Sequence, residues 1–167
     1  EGSVLWLRKS NEISHLNMKK EAQKRDIDPS RLVFADRAPM DEHLARQRLA
    51  DLFVDTFAFN AHTTATEALW AGLPVVTKTG EGFAARVAGS LLNAVGLPEL
   101  VTETEQDYEA LILDLALNPD RLNAIRDKLN RNRLTAPLFN TECYVRDFEA
   151  GLEKAYNLYF EGKEPEH

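Results

Sequence analysis

The sequence contains almost no cysteine: Cys143 is the one thiol in 167 residues. A single thiol excludes an internal disulfide, and the absence of any motif around it favours a half-buried structural residue in a reducing compartment. No apolar run approaches the ~20 residues of a membrane-spanning helix, and no secretory pattern precedes the strand-like residues 3–8. We therefore expect a cytoplasmic protein without membrane association. Because the chain opens directly on a strand, we also expect a fragment of a longer protein.

Basic residues are too few for a nucleic-acid-binding surface. Lys and Arg number 20 against 27 Asp and Glu, so the formal net charge is −7. A nucleic-acid-binding protein needs a basic face, and we expect none here.

Glycine-rich nucleotide motifs and metal-binding patterns are also missing. Neither Gly-x-Gly-x-x-Gly nor Gly-x-x-x-x-Gly-Lys-Ser/Thr occurs, which disfavours a dehydrogenase or an ordinary nucleoside triphosphatase. "DID" at 26–28 resembles the Asp-x-Asp of some metal-dependent sugar transferases, but Pro29 marks it as a surface turn. The four histidines lack the short spacings of a zinc site: His15, His43, His62 and His167. We expect no metal and no other cofactor.

The period of the apolar residues switches between two and 3.6, which predicts alternating strands and helices. Predicted strands lie at 3–7, 31–36, 52–56, 74–78 and 99–102, and predicted helices at 16–25, 40–50, 64–71, 82–95, 105–118, 119–134 and 140–160. This alternation indicates a parallel sheet with helices on both faces. We predict one Rossmann-like α/β domain over 1–167, with an alternating core over 1–103 and a helical extension over 104–160.

The last predicted helix carries a broad apolar stripe that has two interpretations. Its members recur at spacings of three and four: Tyr144, Phe148, Leu152, Ala155 and Tyr159. The stripe either packs on the sheet of this domain, which is the favoured interpretation, or covers a neighbouring domain outside this chain.

The segment "AFNAHTTATEALWAGLPVV" at 58–76 is the strongest candidate for a binding site. It places two hydroxyls and an imidazole after a strand and at the start of a helix, where free N–H groups and the helix dipole attract phosphate. The alternative is structural, because Thr64-x-x-Glu67 also matches a capping box. Both roles can coexist.

Two other polar side chains allow alternative interpretations. His43 follows the break "RAP" and either lies flat against a base or is a surface histidine of an amphipathic helix. Arg86 either faces a phosphate or forms a structural ion pair.

Four segments together resemble one family. "RLVFADRAPMDEHLARQRLADLFVDT", "NAHTTATEALWAGLPVVT", "GEGFAARVAGSLL" and "APLFNTECY" occur in the order found in the C-terminal catalytic half of the O-GlcNAc transferase and SPINDLY family. The resemblance covers about Val4 to Tyr159, and the second segment also fits the broader GT-B glycosyltransferase pattern. It implies a Rossmann-like half that binds a nucleotide-sugar donor.

The resemblance implies roles for residues around the nucleoside. Ala38, His43 and Arg46 would surround the uracil, with His43 stacked on it. Met40 departs from the pattern, since many animal members carry a Lys there that contacts the nucleotide. Some charge-assisted binding should therefore be lost.

The same resemblance implies that His62, Thr63 and Thr64 hold the diphosphate. Glu67 would bond the ribose hydroxyls in place of the usual Asp of the family, with one methylene more.

The resemblance further implies an inverting, metal-independent transfer from a UDP-sugar to a protein acceptor. UDP-GlcNAc is the expected donor, although fucose donors also occur in the wider family. Acceptor-facing residues and any general base belong to an N-terminal half, and tetratricopeptide repeats lie further upstream. We therefore expect no catalytic residue in this chain and no activity in isolation. The alternative function is a non-catalytic Rossmann-like module that senses a nucleotide or binds a protein partner.

Overall fold

A computed structural model describes residues 2–165 and shows a mixed α/β fold in which parallel strands are flanked by helices. This architecture confirms the predicted fold class. The chain divides into two compact units, the first ending at His43 and the second beginning at Leu44. The grouping of residues 1–167 into one domain stays a prediction.

The first unit contains a parallel pair of strands joined by a helix. Strand β1 (Leu5–Arg8) pairs with β2 (Leu32–Ala35), and Leu5 lies opposite Leu32. Helix α1 (Glu12–Gln23) connects them and starts four residues before its predicted start. The earlier start has a local cause, because the Asn11 side chain accepts a hydrogen bond from the Ser14 N–H and caps the helix.

Helix α2 (Met40–Gln47) contains the boundary between the two units, which falls between His43 and Leu44. The second unit has a three-stranded parallel sheet. The strands lie in the order β3 (Phe53–Val54), β4 (Val75–Lys78), β5 (Val101–Thr102). The helices are α3 (Thr63–Ala71), α4 (Val87–Ala94), α5 (Glu105–Leu117), α6 (Pro119–Asn132) and α7 (Thr141–Phe160). Short 3-10 turns lie at Phe83–Ala85, Pro98–Leu100 and Pro137–Phe139.

The core of the second unit surrounds β4. Val75 and Val76 of this strand are fully buried, as expected for a central parallel strand covered on both faces. Leucines of the surrounding helices complete the core: Leu69, Leu92, Leu115 and Leu129. The core therefore fixes β4 firmly beneath the loops that follow the strands.

The predicted helix at 82–95 is divided in two. A 3-10 turn occupies Phe83–Ala85, and α4 begins only at Val87 because Arg86 adopts a non-helical backbone (φ −121°, ψ −7°). By contrast, α3 ends where it was predicted to end, at Gly72, whose left-handed φ of 91° suits a residue without Cβ.

The prediction that the apolar stripe of α7 packs on this domain's own sheet is wrong. None of the residues of α7 is buried, and Phe148 and Leu152 are 54% and 55% exposed. The reason lies in the sheet, since β4 already contacts α3, α4 and α5. The stripe itself is present, and it faces away from the core of the second unit.

Candidate functional site

A groove of about 460 Å³ opens at the carboxyl end of β3, where ligands of open α/β sheets bind. The end of the strand, the loop at 55–61 and the first turn of α3 form its walls. The lining residues are Phe53, Val54, Asp55, Thr56, Phe59, Asn60, Ala61, His62, Thr63 and Thr64. The groove thus brings together the three residues predicted to hold a diphosphate.

The first turn of α3 has free hydrogen-bond donors. The helix begins at Thr63, with His62 at the N-cap, and no side chain caps it. The first bond back along this helix runs from the Thr66 N–H to the His62 carbonyl, at 3.0 Å. Within residues 2–165 the N–H groups of Thr63, Thr64 and Ala65 have no acceptor. With the positive end of the helix dipole, these groups suit an anion.

Two other helices of the unit, α5 and α7, have a side-chain cap in the first turn. Thr104 at the start of α5 accepts a hydrogen bond from the Asp107 N–H, at 3.0 Å, and Asn140 at the start of α7 accepts one from the Cys143 N–H, also at 3.0 Å. The open first turn of α3 therefore differs from these two self-capped helix starts.

The capping-box interpretation of Thr64 and Glu67 is wrong. An N-cap residue has a non-helical backbone, and His62 occupies that position with φ −99° and ψ −95°. Thr64 is instead the second residue of the helix, and Glu67 lies half-buried in the second turn. The hydroxyl-rich start of α3 is consequently available to a ligand.

Two phenylalanine rings lie next to the imidazole of His62. The Phe59 ring stacks on it, with centroids 4.6 Å apart and planes inclined by 15°, while Phe83 meets it edge-on at 6.2 Å. The rings of Phe59 and Phe83 are themselves 64% and 76% exposed. Neither phenylalanine was predicted from the sequence as part of the site, because an isolated aromatic in a loop carries no periodic signal.

The other predicted binding residues are divided between the two units. Ala38 and a half-buried His43 belong to the first unit, and a half-buried Arg46 belongs to the second. His43 donates its backbone N–H to the Pro39 carbonyl, at 2.8 Å, in the first turn of α2. Their placement around a uracil stays a prediction, as does the role of Glu67 at a ribose.

Arg86 is exposed at the N-cap of α4 and forms no ion pair with any residue in the described range 2–165. The structural ion pair considered for it is therefore wrong for this part of the chain. Its role towards a phosphate stays a prediction.

The "DID" triplet forms a surface turn, as predicted. Asp26 has a left-handed backbone (φ 56°), and the Asp28 carboxylate accepts a hydrogen bond from the Ser30 N–H, at 2.8 Å. The bonds to the Ser30 backbone and then to its side chain lower the pKa of Asp28. Between residues 2 and 165, no three His, Cys, Asp or Glu side chains cluster as metal ligands would. In the same range, no helix has the length and apolar character to cross a membrane.

Comparison with known proteins identifies relatives over nearly the whole chain. The family model for glycosyl transferase family 41 matches residues 1–148. The Arabidopsis thaliana protein named "Probable UDP-N-acetylglucosamine--peptide N-acetylglucosaminyltransferase SEC" is 38% identical over 166 residues, which are 99% of this chain and 17% of that protein. The Caenorhabditis elegans "UDP-N-acetylglucosamine--peptide N-acetylglucosaminyltransferase" is 38% identical over 165 residues, 99% of this chain and 14% of that protein.

A solved structure is similar as well. A mutant of Thermobaculum terrenum O-GlcNAc transferase superposes with a TM-score of 0.80 and 30% sequence identity, over 92% of this chain and 29% of that one. The chain therefore spans less than a third of the length of each of these three proteins. The resemblance to the O-GlcNAc transferase and SPINDLY family is confirmed.

Proposed function

Because the chain belongs to glycosyl transferase family 41, we propose that it is the UDP-sugar-binding part of a protein O-glycosyltransferase, with UDP-GlcNAc as the donor. The relatives from Arabidopsis thaliana and Caenorhabditis elegans are named for transfer of N-acetylglucosamine to peptides. The single observation that carries the proposal within this chain is the groove at the uncapped start of α3.

The diphosphate would lie in the first turn of α3. The N–H groups of Thr63, Thr64 and Ala65 would donate to phosphate oxygens, and the hydroxyls of Thr63 and Thr64 are exposed at the same place. Ala38, His43 and Arg46 would surround the uracil, and Glu67 would bond the ribose. UDP thus has a proposed contact for each of its three parts.

The proposed reaction is an inverting displacement without a metal. An acceptor hydroxyl attacks the anomeric carbon, the bond from that carbon to the diphosphate oxygen breaks, and UDP leaves with the electron pair. Negative charge grows on the leaving phosphate, where the α3 dipole and free N–H groups would stabilise it in the transition state. This chain's residues would act on the leaving group, and the proton of the acceptor hydroxyl would pass to a general base of the N-terminal half, outside this chain.

The remainder of the enzyme would supply the acceptor side. The chain covers 17% and 14% of its two named relatives, and we propose that an N-terminal half with upstream tetratricopeptide repeats binds the protein acceptor. The isolated chain should then be inactive. Transfer of a sugar from a UDP-sugar to a protein by these 167 residues alone would contradict this point.

The second candidate function is a non-catalytic nucleotide-sensing or protein-interaction module. Two features favour it: the exposed apolar face of α7, and Met40 in the position where the family resemblance implies a Lys. It predicts weak nucleotide binding together with a protein partner on α7.

A titration of the ¹⁵N-labelled chain with UDP, followed by NMR, tests the proposed site. We expect the amides of Thr63, Thr64 and Ala65 to shift, because phosphate oxygens would accept their hydrogen bonds. The amide of Asp107 in the first turn of α5 is the matched control, since Thr104 already caps it. Saturable binding that leaves the α3 amides unmoved would contradict the proposed site.

A further inference from the structure

Buried polar side chains concentrate at one place in this protein. Among the described residues, the buried polar or charged ones are Asp55, Asn60, Thr77 and Thr102. All four lie at the ends of β3 to β5 or in the loop at 55–61, which forms a wall of the groove. Burying such groups costs free energy unless they are hydrogen-bonded, and apolar side chains would stabilise the core as well. Their concentration here calls for a role in shaping the groove.

Asp55 is the centre of this cluster. It follows β3 directly, is only 5% exposed, and accepts through Oδ1 from two backbone donors: the Thr56 N–H at 2.8 Å and the Ala61 N–H at 2.6 Å. One carboxylate oxygen thus joins the two ends of the loop at 55–61. We call this pair of hydrogen bonds the Asp55 clasp.

The clasp is anchored to the sheet and to α5. Oδ2 of Asp55 accepts from the Thr77 hydroxyl at 2.7 Å, and the Thr77 carbonyl accepts from the Thr102 hydroxyl at 3.0 Å. The Tyr108 hydroxyl donates to the Asp55 carbonyl at 2.8 Å. The loop therefore starts from a residue fixed to β4 and α5.

The clasp ends one residue before the N-cap of α3. Ala61, its far partner, immediately precedes His62, the N-cap of the helix. A second contact holds the loop from the other side, since Asn60 donates its N–H to the Ala84 carbonyl at 2.8 Å. Because Ala61 is held by Asp55 so close to the start of the helix, its position influences where the free backbone N–H groups of Thr63 and Thr64 lie.

We propose that Asp55 is a positioning residue for nucleotide binding: its buried carboxylate fixes Ala61 and thereby aligns the first turn of α3 with the diphosphate. This inference rests on the proposed function. In this role Asp55 would not contact the nucleotide, and would act only through the backbone of the loop at 55–61.

Three substitutions separate positioning from mere stabilisation. Asp55→Ala removes the clasp. Asp55→Asn keeps one side-chain oxygen, which can still accept from the N–H groups of Thr56 and Ala61. Its new NH₂ group would face the Thr77 hydroxyl, whose oxygen can accept a hydrogen bond. Thr77→Val is the matched control, because it removes a buried hydrogen bond of the same cluster and leaves the Ala61 N–H bonded to Asp55.

UDP affinity should fall at least about tenfold in Asp55→Ala. In Asp55→Asn and Thr77→Val it should stay within about threefold of the affinity of the unchanged chain. Each variant is measured well below its melting temperature. A loss of affinity that simply follows the loss of stability across all three variants would overturn the proposal. Wild-type affinity in a folded Asp55→Ala variant would overturn it as well.

Hydrogen exchange of the backbone amides gives a readout that does not require UDP to bind. The Ala61 amide should be protected in the unchanged chain and in Thr77→Val, and should lose protection in Asp55→Ala. An Ala61 amide that exchanges in the unchanged chain as fast as an unbonded loop amide would refute the clasp, even if Asp55→Ala does not fold. A protected Ala61 in a chain that binds no UDP would instead refute the proposed function and, with it, the role of Asp55 in binding.

Discussion

The Tyr108 hydroxyl donates to the backbone carbonyl of Asp55 at 2.8 Å, although 53 residues separate the two in sequence. This bond joins α5 to the end of β3 beneath the groove. Partial burial of the phenol, and secondarily the negative charge of Asp55, raise the pKa of Tyr108 to about 12. Because the phenol donates this hydrogen bond only while it is protonated, the contribution of Tyr108 to stability depends on pH.

We expect the contribution of Tyr108 to stability to disappear in alkali. Its pKa is higher in the folded chain than the ~10 of an unfolded tyrosine, so this contribution is complete below about pH 10 and is lost as the pH rises towards about 12. Urea unfolding of the unchanged chain and of Tyr108→Phe, at about pH 9 and about pH 11.5, should give a difference in unfolding free energy that shrinks at the higher pH. The same difference at both values would contradict the assignment.

Replacement of His43 by Ala should weaken UDP binding with little change in melting temperature. The proposed role of this half-buried imidazole is to stack on the uracil, so its loss removes a ligand contact from the first turns of α2. Calorimetric titration with UDP measures the effect.

His15→Ala is the control for this prediction. His15 stacks on Phe34 at 4.1 Å and accepts the Ser10 N–H at 2.9 Å, so its removal should lower stability and leave UDP affinity unchanged. If His43→Ala binds UDP as well as the unchanged chain does, His43 does not belong to the site.

Met40→Lys should strengthen UDP binding. Met40 is 58% exposed at the start of α2, in the position where the family resemblance implies a Lys that contacts the nucleotide. A charge-assisted hydrogen bond should raise the affinity by about tenfold at low ionic strength, and added salt should reduce the gain.

Leu49→Lys adds the same charge at a position that is 78% exposed and has no assigned role. An equal gain in both variants would show that net charge, rather than a contact at position 40, increases the affinity.

Leu152→Gln on α7 should change the stability of this chain by less than about 0.5 kcal/mol, since the side chain is already 55% exposed. Leu115→Ala in α5 should cost about 2–5 kcal/mol, because that leucine is completely buried in the core. Chemical unfolding compares the two. A large loss in Leu152→Gln would show that the apolar stripe of α7 is covered within this chain after all.

The periodic features of the sequence predicted most of the elements. The β-branched residues Val75, Val76 and Thr77 indicated the central strand β4, and Gly72 correctly marked the end of α3. The stripe on α7 was also visible as a pattern, but a pattern does not state what covers an apolar face. Its exposure depends on the helices that already occupy β4, which is a property of the assembled fold.

The site was predictable in part. The cluster of His62, Thr63 and Thr64 identified the start of α3, because residue types at a helix start carry a local signal. The capping-box alternative placed the N-cap two residues too late, since Thr64 and Glu67 imitate a capping box and His62 is an uncommon cap. The clasp was not predictable, because it joins the Asp55 side chain to the backbone N–H of Ala61, six residues away, and no spacing rule relates them.

The decisive experiment for a UDP-sugar site in this chain is calorimetric titration of the 167 residues with UDP and with GDP, first in EDTA and then with magnesium. We expect UDP to bind more tightly than GDP, with the same affinity in EDTA and in magnesium, because the α3 start and the residues assigned to the uracil would supply the contacts. Equal binding of UDP and GDP, or UDP binding that requires magnesium, would contradict a metal-independent UDP-sugar site in this chain.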